Sequence, residues 1–184
     1  MKIIVAITAA SGAIYARQLL ELLVESCEVE RIAVIYSSNA RAVVAHEGVT
    51  MPQSAKIVEY DNDDMFASVA SGSARWEAMV VVPSSVGTIG RVASGVSQTL
   101  IERAADVMLK ERRRLIFVVR ETPYSLIHLR NMTTLTEAGA VILPATPSFY
   151  SQPQTIEEVC RTVTERVVAM LGLESHRYEW GEGK

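Results

Sequence analysis

Two stretches of small and hydroxyl-bearing residues are built to receive an anion: Thr8-Ala9-Ala10-Ser11-Gly12-Ala13 and Pro83-Ser84-Ser85-Val86-Gly87-Thr88. Small residues let backbone N–H groups approach a phosphate at a helix N-terminus, and hydroxyls beside a glycine build the same kind of concavity. The first stretch is not a GxGxxG motif, and a bare tight turn accounts for it equally well. Two such loops following different strands point to one shared crevice. A third position carries charge, since Arg120-Glu121-Thr122-Pro123 follows Leu115-Ile116-Phe117-Val118-Val119 directly. Catalytic groups of α/β enzymes sit at such strand ends, whereas a surface ion pair there would contribute little.

Other candidates read more blandly. Arg103 and Lys110 stand seven residues apart, so on a helix they project from one face about 10 Å apart. They suit a phosphate clamp, but a solvated face with Glu102, Asp106 and Lys110 at i,i+4 spacing is the stronger reading. Glu111-Arg112-Arg113-Arg114 reads as surface. Ser37-Ser38-Asn39 suit helix capping ahead of a segment with His46 and Glu47, and Pro144 to Tyr150 form a stiff loop ending in aromatics. His46, His128 and His176 make no metal-ligand spacing, so no metal site is expected.

The elements that position these loops are legible from apolar patterning. Residues 2–7, 31–36, 78–82, 115–119 and 140–143 are nearly continuous apolar runs, the pattern of strands buried on both faces of a parallel sheet. A further short strand is expected at 56–60. Amphipathic helices are expected over 13–24 and 97–110, over 123–138 with proline in the first turn, and from the capping pattern Thr155-Ile156-Glu157-Glu158 to a stop at Gly172. Strand and helix in alternation predict an α/β fold: a single-domain, doubly wound parallel sheet, Rossmann-like or flavodoxin-like, with ligands at the carboxyl ends of its strands. One domain is expected over 1–184. The tail 174–184 carries Tyr178 and Trp180 and is expected to pack on the site or on a neighbouring copy.

The bulk properties suit this. The chain has 184 residues, 49% apolar and 21% charged, with a net charge of −3. That balance describes a globular domain and gives no reason to expect nucleic acid or a membrane as partner. Cys27 and Cys160 are far apart, so a reduced, cytoplasmic setting is expected. The apolar start, residues 1–7, is too short for a signal peptide.

The segment Leu100-Ile101-Glu102-Arg103-Ala104-Ala105-Asp106-Val107-Met108-Leu109-Lys110-Glu111 resembles the most distinctive stretch of the UbiX-type flavin prenyltransferases. Ala70-Ser71-Gly72-Ser73, Pro83 to Thr88, Val119 to Pro123, Ile127 to Met132 and Phe149-Tyr150 occur in that family's order, so the resemblance spans nearly the whole chain. It implies an FMN-binding, metal-independent enzyme that joins the dimethylallyl group of dimethylallyl monophosphate to N5 and C6 of reduced FMN. The product would serve UbiD-type decarboxylases, and the enzyme would be a homo-dodecamer with sites at subunit interfaces. By position, Ala9, Ala10, Ser11, Ser37, Ser85, Val86, Gly87, Thr88 and Arg120 would contact FMN. Arg103, Lys110, Arg120, Tyr150 and Arg166 would hold the prenyl phosphate. Glu121 would protonate the leaving phosphate, Ser11 and Glu47 would handle protons near the flavin, and Trp180 would complete the catalytic set. The chain departs from the family at Ala9, where glycine is usual, at Thr99, where asparagine is usual, and at Met65-Phe66, where tryptophan is common. Two rival readings share the fold: an FMN-dependent cysteine decarboxylase, whose Met-Asn motif this chain lacks, and a non-enzymatic FMN-binding module.

Overall fold

The computed structural model describes residues 1–174. Six strands form one parallel sheet: β1 (Lys2–Ile7), β2 (Arg31–Tyr36), β3 (Ile57–Tyr60), β4 (Ala78–Ser84), β5 (Arg114–Val119) and β6 (Val141–Pro144), in the order β3-β2-β1-β4-β5-β6. The β1, β2, β4 and β5 runs are buried almost end to end because helices cover both faces, which is why their apolar residues do not alternate. α1 (Ala13–Glu25) and α6 (Ile156–Leu171) pack together on one face, joined by the start of α2 (Ala40–His46). α3 (Val86–Ala93), α4 (Leu100–Lys110) and α5 (Leu126–Glu137) cover the other. The expected elements are all present, with the chain also forming two short 3-10 turns at Ser68–Ala70 and Gly72–Ala74.

Two helix starts differ from the sequence expectation. α4 begins at Leu100, not at residue 97, because the Glu102 carboxylate reaches back to accept from the Gln98 and Thr99 amides. α5 begins at Leu126, not at Pro123, because Ser125 caps it by accepting from the His128 amide at 3.2 Å. Pro123 instead follows a cis peptide bond in the loop. The capping box at Thr155 and the stop at Gly172, which has φ +81°, stand as expected.

Strand order reverses between β1 and β4, so the chain leaves these neighbours toward opposite faces and opens a crevice at their carboxyl ends. Thr8 holds the two sides of that crevice together. Its buried hydroxyl donates to the Pro83 carbonyl at 2.7 Å and accepts from the Ser85 amide at 2.8 Å.

Candidate functional site: the carboxyl edge of the sheet

The turn after β1 is a helix N-terminus already occupied from within. The Glu47 carboxylate accepts from the Gly12 amide at 2.9 Å and the Ala13 amide at 2.7 Å. Burial pushes the Glu47 pKa up, but hydrogen bonds from the Ser11 hydroxyl and those two amides, with the nearby Arg120 charge, outweigh it and leave the group below its ordinary value. The carboxylate is therefore held ionised, and it fills the place a phosphate would take at α1. The structure brings Ser11 and Glu47 together, Glu47 from the residue that closes α2.

The turn after β4 is organised differently. Ser85 caps α3 by accepting from the Thr88 amide, and its hydroxyl lies 3.1 Å from that of Thr88. Among the described residues, no side chain fills the α3 N-terminus as Glu47 fills that of α1. The amides of Val86 and Gly87 belong to the helix's unpaired first turn. Of the two anion-receiving loops, the second is the open one.

Arg120 lies between them. Its amide donates to the Ser84 carbonyl at 3.2 Å, which anchors the end of β5 against β4. Its Cγ lies 3.9 Å from the place a Cβ on Gly12 would occupy, so the side chain runs back along the α1 turn. Its Nε is buried and has no hydrogen-bond partner among the described residues. A buried guanidinium donor left unpaired is costly unless a ligand answers it. An open helix N-terminus, hydroxyls and an orphan guanidinium donor fit the anionic end and polar ring edge of FMN. Below the crevice, burial raises the Tyr15 phenol to about 12, with Cys160 adding to the effect and Arg120 opposing it.

Ser37 closes the β2 side of the same edge, its amide donating to the Ile7 carbonyl at 2.9 Å. Ala9 is exposed and Ala10 buried beside it. On the other side, the Ala145 amide donates to the Val119 carbonyl at 2.8 Å and draws the loop after β6 against the start of the Arg120–Glu121 pair. A cavity of about 920 Å³ opens between that loop and α6, lined by Tyr150 and Arg166 together with Thr146, Arg161 and Thr162. Glu121 is half-buried, its carboxylate accepting from the Thr122 amide at 3.0 Å.

Lys110 does not join this group within one chain. Lys110 ends α4 at the amino-terminal edge of β5, and Arg120 lies past its carboxyl end, roughly 20 Å away for a strand of that length. Lys110 pairs with Glu111, while Arg103 pairs with Asp106 at 2.7 Å and donates to the Ala70 carbonyl. Glu102 is not on the solvated face that its spacing suggests. Its side chain is 2% exposed and pairs with Arg91. Trp180 lies outside the described residues, as do the other tail residues past 174.

Sequence reasoning missed Thr8, Arg91 and Glu102. Thr8 gave no signal because its partners come 75 and 77 residues later. The Thr99-to-Glu102 spacing was a readable capping box, but the Arg91 contact crosses between helices. Among the described residues, no group of three or more His, Cys, Asp or Glu side chains could hold a metal ion. Among them too, no helix is long and apolar enough to cross a membrane.

The sequence profile of the Flavoprotein family matches residues 1–170. The flavin prenyltransferase UbiX of Methanocaldococcus jannaschii is 42% identical over 185 residues, covering 98% of this chain and 99% of that protein. AnUbiX (PadA1), solved in complex with FMN and dimethylallyl pyrophosphate, is 38% identical with a TM-score of 0.91, over 100% of this chain and 98% of that one. A dodecameric FMN-dependent UbiX-like decarboxylase from Escherichia coli O157:H7 is 36% identical with a TM-score of 0.90, over 98% and 99%.

Proposed function

The chain belongs to the UbiX-type flavin prenyltransferases of the Flavoprotein family, and from that premise we propose how its own residues carry out the reaction. It is a transferase that joins a dimethylallyl group to reduced FMN. Bound FMN supplies N5 and C6, the two atoms that receive the prenyl group. The observation that carries the site assignment is the Nε of Arg120, buried and unpartnered among the described residues, beside an open α3 N-terminus at the reversal of strand order.

In this reading Ser85, Val86, Gly87 and Thr88 hold the flavin phosphate through backbone and hydroxyl donors. Ala9, Ala10, Ser11, Ser37 and Arg120 border the ring system. The Ser11–Glu47 contact provides a proton path at the flavin edge, with the hydroxyl as the member that exchanges, because Glu47 is saturated with donors. Tyr150 and Arg166, in the cavity beside β6, take the phosphate of dimethylallyl monophosphate. Breaking the allylic C–O bond puts charge on that phosphate. Arg120 and Arg166 stabilise it, and Glu121 gives a proton to the departing oxygen.

Lys110 reaches a phosphate at this edge only from a second copy of the chain, so the working unit is a homo-oligomer, and by likeness to the Escherichia coli structure a dodecamer, with Arg103 beside it on α4 as a further phosphate contact. Phe149, Leu126, Ile127 and Phe66 are exposed apolar side chains of the kind that copies bury against one another. Trp180, outside the described residues, keeps its place in the catalytic set from the family resemblance alone. The enzyme works in the cytoplasm and hands its product to a UbiD-type decarboxylase.

The test is mass spectrometry of the flavin after anaerobic incubation of the purified protein with reduced FMN and dimethylallyl monophosphate. A flavin heavier by one prenyl unit is expected. FMN recovered unchanged with either dimethylallyl monophosphate or pyrophosphate as donor would refute the assignment.

A further inference from the structure

We infer that Arg91, aimed by the buried carboxylate of Glu102, is a second cationic contact for the flavin phosphate and a determinant of FMN over the phosphate-free flavin. The inference rests on the reading that places the FMN phosphate at the α3 N-terminus.

Glu102 is 2% exposed, and each of its oxygens is committed. One accepts from Arg91 Nε, and the other from the amides of Gln98 at 2.9 Å and Thr99 at 3.1 Å. With burial acting to raise its pKa, the Arg91 hydrogen bond, those amides and the Arg91 charge together lower it, so it is an ionised, fixed anchor. The anchor engages Arg91 through Nε. A guanidinium held that way keeps its Nη1/Nη2 edge for another acceptor, the fork that matches phosphate oxygens.

That edge faces the candidate phosphate seat. Helical side chains lean toward the N-terminus of their own helix, and Arg91 accordingly lies over the first turn of α3. Its Nη2 is 3.4 Å from the Thr88 hydroxyl, too long and weak a contact to occupy the fork. Its Nη1 is 3.4 Å from the point where a Cβ on Gly87 would stand, so the absence of a side chain at Gly87 lets the cation come close to the backbone amides. The arginine is half-exposed, at 49%, as a group reserved for an incoming ligand must be, while its anchor is sealed. A simple staple between α3 and α4 would need neither the open fork nor its direction.

The experiment measures dissociation constants for FMN and for riboflavin, by flavin fluorescence, on the full chain freed of flavin. Arg91→Met is expected to weaken FMN about tenfold to a hundredfold and riboflavin less than about twofold. Arg91→Lys should recover part of the difference. Glu102→Gln should also shrink the preference for FMN, because the anchor loses its charge while its size is kept. Equal weakening of both flavins by Arg91→Met, or no change in either, would overturn the inference. A wild-type chain with no preference for FMN over riboflavin would instead overturn the phosphate seat itself, and this inference with it.

Discussion

Glu47 shows how one carboxylate decides the character of a turn. It supplies the acceptor that the first α1 amides lack, and its pKa is held down by the Ser11 hydroxyl, those amides and Arg120 against the opposing effect of burial. A carboxylate whose folded pKa is depressed contributes stability that is fully present above its unfolded value, near 4.5, and is lost as pH falls through the folded value. Replacing Glu47 by glutamine should therefore cost about 1–2 kcal/mol at neutral pH, and the gap to wild type should close in acid. Melting temperatures from pH 7 to pH 3 check this, and a gap that does not narrow would show that the charge is immaterial. None of it was visible in the sequence, where Glu47 was given a role only through family resemblance. The carboxylate and the amides it caps are about 35 positions apart and meet only once β1 and β2 lie side by side.

At the scale of elements, more was legible. Buried parallel strands advertise themselves as unbroken apolar runs, and each expected strand appears within two residues of its place. Caps local to four residues were readable too, as with Thr155 and Glu158 at α6. Thr155→Ala should cost about 1 kcal/mol and lower Tm by about 2–4 °C for a chain of this size. Calorimetry measures it, and an unchanged Tm would mean that Glu158 alone carries the cap. The two helix starts that differed share a cause, since in each a cap residue further along won over an earlier candidate. Thr99 with Glu102 displaced the start at 97, and Ser125 with His128 displaced Pro123. Contacts between elements lay beyond reach, because nothing local to Glu102 reveals that Arg91 waits in the preceding helix.

At the scale of the whole molecule, the parallel sheet sorts functional residues by which end of a strand they follow. Arg120 and Glu121 follow the carboxyl end of β5, while Lys110 precedes its amino end. If all three serve one phosphate, they come from different copies. Lys110→Ala and Glu121→Gln should then each abolish most prenyl transfer alone, yet co-expressed chains should form mixed oligomers with some intact sites. A quarter or so of wild-type activity in the mixture would fit random assembly, since an intact site needs a wild-type residue from each of two chains. Activity no greater than that of the separate mutants would place both residues in one chain's site and refute the shared arrangement.

The internal cap on α1 also has a directional consequence. Two helix N-termini open on one crevice, and a ligand with a single dianionic end would in principle have two ways to lie down. One berth is taken by Glu47 before any ligand arrives, and its negative charge repels a second anion. The molecule thus fixes head from tail by exclusion. In the proposed reading the phosphate goes to α3, and the opposite end of the ligand is left facing the hydroxyl of Ser11.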